Sequence, residues 1–290
     1  MSAPPVALAD GDARLTIATR GAEAVAWSVG GVERLWPGDA AIWSQICPIL
    51  YPVVGWTRDG ARVGGKSYPL GLHGFAAAED FAVEAATDEF ARLILRDNER
   101  TRALYPFAFA LAAEYRLLGA ALEMTLEVAN PGDGPAPYAC GLHPGFRWPF
   151  ARGGRTGARV VFERAEAAVV PVIAPGGLIS AATRPFPLRG NALDLDDALF
   201  VGDALCFLEP ASRSLRFEQA DGSAIEMDFT GFGRAALWTR PGAPFLCLEA
   251  WTGYSDPEGF AGELFDKPAM RTLAPGERAR HKAIYRYFAA

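Results

Sequence analysis

Lysine is nearly absent from this chain. Of 28 basic residues only Lys66, Lys267 and Lys282 are lysine, a bias that reads as base composition rather than function. Acidic residues number 34, for a formal net charge of -6. The chain therefore lacks the basic face that a general nucleic-acid binder uses to displace counterions, and no nucleic-acid partner is expected. No apolar run reaches the ~18 residues that suggest a membrane helix, so no membrane partner is expected. The opening stretch MSAPPVALADGDARL has no basic segment ahead of a long apolar core, which argues against a secretory signal. Cysteine is sparse: Cys47, Cys140, Cys206 and Cys247 stand far apart in apolar segments with no CxxC pair. Buried free thiols and a cytoplasmic location follow as expectations. Histidine is scarcer still, at three. Helical periodicity is missing apart from a short helix expected around Ala40 to Ser44.

What is present is apolar residue, at 50%, enough to bury a large core and to exclude global disorder. Glycine (31) and proline (22) punctuate many short segments of period two. Arg14–Thr19, Ala24–Val29, Val32–Trp36, Phe81–Ala85, Phe90–Arg96, Phe107–Leu117, Leu122–Val128, Arg159–Phe162, Leu205–Leu208, Ser214–Phe217, Ala224–Phe229, Ala236–Thr239 and Ala283–Phe288 all read as strands. Gly30-Gly31 is a hairpin turn between two of them. Strands spaced by about ten residues indicate an all-β sandwich or barrel. No composition break interrupts them, so one domain over residues 1–290 is expected, as a monomer or homodimer.

Two histidines share a setting. His73 lies in Tyr68-Pro-Leu-Gly-Leu-His-Gly-Phe75, and His143 in Cys140-Gly-Leu-His-Pro-Gly-Phe-Arg-Trp-Pro149. Each follows Gly-Leu and precedes a turn and a phenylalanine. A near-neutral imidazole at a strand end suits general acid–base work, with a hydrogen-bonded core histidine as the competing reading. His281, between Arg280 and Lys282, reads as a solvated strand edge. Glu249 ends the apolar run Phe245-Leu-Cys-Leu-Glu249, followed by Ala250-Trp251. A carboxylate there is costly without partners, and burial would raise its pKa, as a rigidly held base requires. Asp194 to Asp197 reads as a turn or solvated edge ahead of a further strand, Ala198–Val201. Arg102, before Tyr105-Pro106-Phe107, is either an anion clamp or an exposed strand residue.

In order, His-Gly-Phe, Tyr-Pro-Phe-x-Phe, His-Pro-Gly-Phe, Cys-Leu-Glu-x-Trp and Leu-x-Pro-Gly-Glu resemble the aldose 1-epimerase (galactose mutarotase-like) family, in its bacterial LacX-type branch. The resemblance runs from about Leu15 to Phe288. It implies a large antiparallel β-sandwich and interconversion of the α and β anomers of an aldose, with no metal and no cofactor. His73 matches a histidine that contacts the sugar, His143 the general acid, and Glu249 the general base. Asp197 is similar in position to an aspartate that binds sugar hydroxyls. Mutarotation removes the C1 hydroxyl proton and protonates the ring oxygen. A carboxylate Glu249 and a protonated His143 on opposite sides of the hemiacetal would do this. Trp56, Phe75, Trp148 and Trp251 are candidates to stack on a pyranose, with core packing as the alternative.

Two positions depart from the pattern. Gly55 is followed by Trp56 where related proteins often carry arginine, and His-Gly-Phe-Ala is followed by Ala77 where many of the branch do. Arg58 is a candidate replacement, and Arg58, Arg102 and Arg147 are candidates for a sugar phosphate. Rival readings are a sugar-binding sandwich without catalysis, and a metal site built from His73, His143 and Glu249.

Overall fold

The structure is a computed structural model that describes residues 3–151 and 153–290. Two large antiparallel sheets dominate it. One has ten strands, in the order Leu188–Arg189, Ala192–Asp194, Arg159–Phe162, Ser214–Glu218, Ala224–Asp228, Arg278–Phe288, Ala121–Ala129, Ala110–Leu118, Phe90–Arg96 and Ala82–Ala86. The other has six. Leu205–Phe207, Arg234–Trp238, Phe245–Trp251, Gly141–Leu142 and Ile49–Leu50 lie side by side, and Gly145–Arg147 also pairs with Phe245–Trp251. A smaller sheet of Val6–Asp10, Ala13–Ile17, Ala24–Val29 and Val32–Glu33 adds Leu8, Leu15, Ile17 and Trp27 to the same core.

Side chains alternate across each strand, which explains how the layers face. In Phe90–Arg96, Ala91, Leu93 and Leu95 point inward while Arg92 and Arg96 point to water. In the six-stranded sheet both faces are covered. Along Phe245–Trp251, Leu246, Leu248 and Ala250 join the main core, and Phe245, Cys247 and Trp251 belong to two smaller apolar clusters on the opposite face. Every residue of that strand is buried. A strand covered on both sides reads as a continuous apolar run, and its one carboxylate, Glu249, points with the odd-numbered set away from the main core.

The expected strands are present, several with ends shifted by a few residues, except Ala198–Val201: Asp197–Phe200 is a 3-10 helix instead, capped by Asp196, whose side chain accepts the Ala198 N–H. Residues 40–44 form a turn closed by an Asp39–Trp43 bridge, not a helix. Among the described residues the one α-helix is Glu99–Leu104, capped by Asn98, whose side chain accepts the Thr101 N–H. A hairpin, Val169–Ala174 with Leu178–Pro185, was not foreseen. His281 is not at a solvated edge. It is buried in the middle of the ten-stranded sheet, with Nε2 2.8 Å from the Tyr138 hydroxyl and Nδ1 3.0 Å from the Gly231 carbonyl. All four cysteines are free and buried. Among the described residues no helix is long and apolar enough to cross a membrane.

Candidate active site

The face of the six-stranded sheet away from the main core carries a cavity of about 390 Å3. This lies within the range of small-molecule sites. His73, His143 and Glu249 all line it, with Trp56 and Trp251.

Strand register brings His143 to Glu249. Leu142 pairs with Ala250 and Gly145 with Cys247, both against the same edge of Phe245–Trp251. Between them the chain leaves the ladder at His143-Pro144, opposite Leu248 and Glu249. Proline cannot donate to a ladder, so the interruption falls where the sequence dictates. Gly145 is required beside it, since a Cβ there would lie 2.8 Å from the Trp43 ring. The result is a contact of 3.2 Å between His143 Nε2 and Glu249 Oε2. Trp251 Nε1 donates to the same carboxylate oxygen at 3.0 Å.

His73 arrives from a tight turn. Its φ is +60°, followed by Gly74 at +73°. A Cβ at Gly74 would meet the Tyr51 carbonyl oxygen at 2.2 Å, so only glycine fits. A non-glycine residue in the left-handed region costs on the order of 1 kcal/mol, and such strain concentrates at functional sites. The His73 Nδ1 accepts the Gly55 N–H at 3.0 Å, and its ring lies 5.6 Å from that of His143.

Burial governs the charges here. It pushes the Glu249 carboxyl well above its ordinary range; the Trp251 N–H acts the other way, and the nearby Asp203 charge adds to the rise. It pushes the His143 imidazole well below its ordinary range, with His73 contributing. His73 is pushed down to about 4 by burial. Both directions favour a neutral pair, with the acidic proton on Glu249, over the charged pair expected from sequence. Nor do the two groups stand on opposite sides of a gap: they touch. Shifting one proton across the 3.2 Å contact converts the neutral pair into carboxylate and imidazolium. Among the described residues His143 Nδ1 is buried without a hydrogen-bond partner, and Nε2 is the ring nitrogen that faces Glu249.

Other expected residues lie elsewhere. Asp197 sits in the short helix Asp197–Phe200, bound to Arg155 at 2.5 Å, outside the cavity lining. The aspartate in the lining is Asp203, six positions on, at φ +73°. Trp148 is buried, under the Arg155 guanidinium and against Phe217. Phe75 packs in the core on Tyr51, Tyr105 and Phe109. Arg102 pairs with Asp97 at 2.7 Å on the helix, and Arg58 lies 3.7 Å from Asp59, half-exposed. Arg147 donates to the Leu35 carbonyl at 3.1 Å. None of these lines the cavity.

Sequence reasoning missed several residues that do. Trp43 and Trp238 flank the His143 ring at 5.1 and 5.7 Å. Gln45 and Arg240 also contribute to the lining. The unforeseen hairpin supplies Ile173, Gly177 and Ile179 to the wall. Its Gly177 has no room for a Cβ, which would lie 2.3 Å from Trp56. Among the described residues no group of three or more His, Cys, Asp or Glu side chains is placed to hold a metal ion.

Comparison with known proteins places this architecture. The Aldose 1-epimerase family profile matches residues 5–286, and the chain belongs to that family. It is 30% identical over 257 residues to the chromosomal protein LacX of Lactococcus lactis subsp. lactis, covering 84% of this chain and 86% of that protein. A galactose mutarotase-like protein from Lactobacillus casei superposes with a TM-score of 0.89 at 24% identity, covering 98% of this chain and 100% of that one. A galactose mutarotase related enzyme from Lactobacillus acidophilus also reaches 0.89, at 26% identity, with 99% and 98% covered. The fold is therefore galactose mutarotase-like, as the resemblance implied.

Proposed function

We propose that the protein is an aldose 1-epimerase that opens and recloses the ring of a reducing sugar, with Glu249 and His143 as the proton-transfer pair. The observation that carries this reading is the buried 3.2 Å contact between the two groups, both of which line the cavity. In a hemiacetal the C1 hydroxyl and the ring oxygen are bonded to the same carbon. Two touching groups can thus face one oxygen each. Glu249, as carboxylate, takes the hydroxyl proton while His143, as imidazolium, protonates the ring oxygen. The C1–O5 bond breaks, the aldehyde turns about C1–C2, and the reverse transfers close either anomer. The pair begins and ends with the same proton count. Positioned proton transfer contributes roughly 10²–10⁴-fold. The sugar is held by hydrogen bonds from His73, Asp203 and Gln45 and by contact with the Trp56 and Trp251 faces.

The test is anomer exchange measured by NMR over a panel of free aldoses and their 6-phosphates. The expected result is exchange above the buffer blank for at least one sugar. Calorimetric binding with no exchange would replace the enzyme with a sugar-binding module of the same fold. Neither binding nor exchange across the panel would overturn the sugar reading.

A further inference from the structure

A buried ion pair stands just behind the cavity wall. Lys267 Nζ lies 2.6 Å from Asp256 Oδ1, and the two side chains are 1% and 5% exposed. Burying both charges costs several kcal/mol per ion before their attraction is counted, so such a pair is weak evidence for stability as its purpose. What it touches is more informative. Lys267 Nζ also donates to the Trp56 carbonyl at 3.2 Å, and Asp256 Oδ2 accepts the Arg58 N–H at 2.7 Å. The Asp256 N–H donates to the Trp56 carbonyl at 2.9 Å, and the Ser255 hydroxyl accepts the Trp56 N–H at 3.0 Å.

These bonds clamp residues 55–58 against residues 255–256. The fit is tight: a Cβ on Gly55 would lie 2.0 Å from Ser255 Oγ. Gly55 is also the residue that holds His73. Its carbonyl accepts the His73 N–H at 2.9 Å, and its N–H donates to His73 Nδ1 at 3.0 Å. A neutral imidazole carries one proton, so a ring whose Nδ1 accepts must carry it on Nε2.

We propose that Lys267 and Asp256 are positioning residues, which act through the Gly55–Arg58 segment to keep His73 as an Nε2–H hydrogen-bond donor to the substrate. The donor's target rests on the sugar reading given above. The tautomer does not, so the two can fail separately.

The experiment is nitrogen-15 NMR of the His73 imidazole in the full chain, with anomer-exchange kinetics alongside. In the unaltered protein a single neutral form is expected, protonated at Nε2 and bare at Nδ1. Protonation at Nδ1 would overturn the proposal without any variant. Removing both charges, in Lys267→Met with Asp256→Asn, is expected to let the Nδ1–H tautomer appear. It is also expected to raise KM for an accepted aldose about tenfold, the cost of about one lost hydrogen bond, with kcat held within about twofold. A folded double variant with the original tautomer and KM would overturn the proposal, as would a fall in kcat with the tautomer intact. Should the double variant not fold, Lys267→Arg is read by the same criteria: it keeps the charge beside Asp256 but moves the donor off the Trp56 carbonyl. If no sugar is turned over at all, the tautomer shift alone decides the positioning role.

Discussion

The two large sheets each turn one face away from the shared core, and the two faces treat charge in opposite ways. On the ten-stranded sheet, Arg92 reaches Glu84, Glu114 and Glu127, while Arg280 reaches Glu114 and Glu127 from the far side. Burial alone would raise the Glu127 carboxyl, but hydrogen bonds from Arg92 and Arg280 outweigh it and hold the group below its ordinary range. On the six-stranded sheet the corresponding face is roofed by loops and a hairpin. Among the described residues no arginine is paired with Glu249, whose close polar contacts are Trp251 and His143. The same residue type is thus locked as an anion on one face and held as an acid on the other. A locked carboxylate does structural work, whereas a carboxyl that burial holds protonated beside an imidazole has a proton to pass on.

The sharpest test of that contrast is to remove each carboxylate without changing its shape. Glu249→Gln is expected to lower the rate of anomer equilibration, followed by polarimetry, by about 10²–10⁴-fold, the span that positioned proton transfer contributes. Its melting temperature is expected to hold, because the resting residue is already uncharged. Glu127→Gln is expected to leave that rate unchanged. If the two variants behaved alike, the division between the faces would collapse. Next in size is His143→Asn, for which the rate is expected to fall at least about tenfold in the same assay, again without unfolding. An unchanged rate would remove His143 from the proton path.

Much of this site was legible in the sequence, for a definable reason. Glu249 is a charge inside an apolar run, and a strand covered on both faces allows such a charge only where something on one face answers it. His143-Pro144 marks its own break in the ladder. His73 is flanked by glycine, and its turn requires one. Asp197 was a less successful reading, because acidic residues are frequent between 194 and 203 and only the fold shows that the chain turns Asp203 into the cavity. Trp148 and Phe75 went to the core for a related reason: an aromatic beside a turn looks the same in sequence whether it packs inward or faces a ligand. Trp43, Trp238 and Arg240 reach the cavity through contacts far apart in the chain, beyond any local pattern. His281 is instructive. Arg280 and Lys282 point outward, so period two places the residue between them inside, and alternation was the better guide than the charge of its neighbours.

Acid separates the faces again, on two different parts of the pH scale. His73 sits at about 4 in the folded protein. The unfolded chain protonates it near 6.5 and so binds more protons between those values. Its contribution to stability is complete above about pH 6.5 and is lost as pH falls toward about 4. Glu127 shows the depressed carboxylate pattern: its contribution is complete above about pH 4.3 and is lost only as pH falls further, through its lowered folded pKa. Urea unfolding at a series of pH values is expected to show His73→Asn flattening the slope above pH 4 and Glu127→Gln flattening it below. A shared window would mean that the two faces do not titrate independently.

The smallest expected effect is the stability cost of Glu127→Gln at neutral pH. Exposed ion pairs contribute about 0.2–1 kcal/mol. Glu127 belongs to a network whose arginines are partly exposed, with 20% of the Arg92 side chain and 53% of the Arg280 side chain open to water. A loss of about 1 kcal/mol in urea unfolding is expected at low salt, shrinking as salt is raised, because screening weakens exposed pairs more than buried ones. The Lys267–Asp256 pair, closed to water, gives the internal control: removing it should cost the same at both salt concentrations. Equal salt sensitivity at the two sites would show that water reaches the wall behind the cavity, and the neutral resting state of Glu249 would then lose its physical cause.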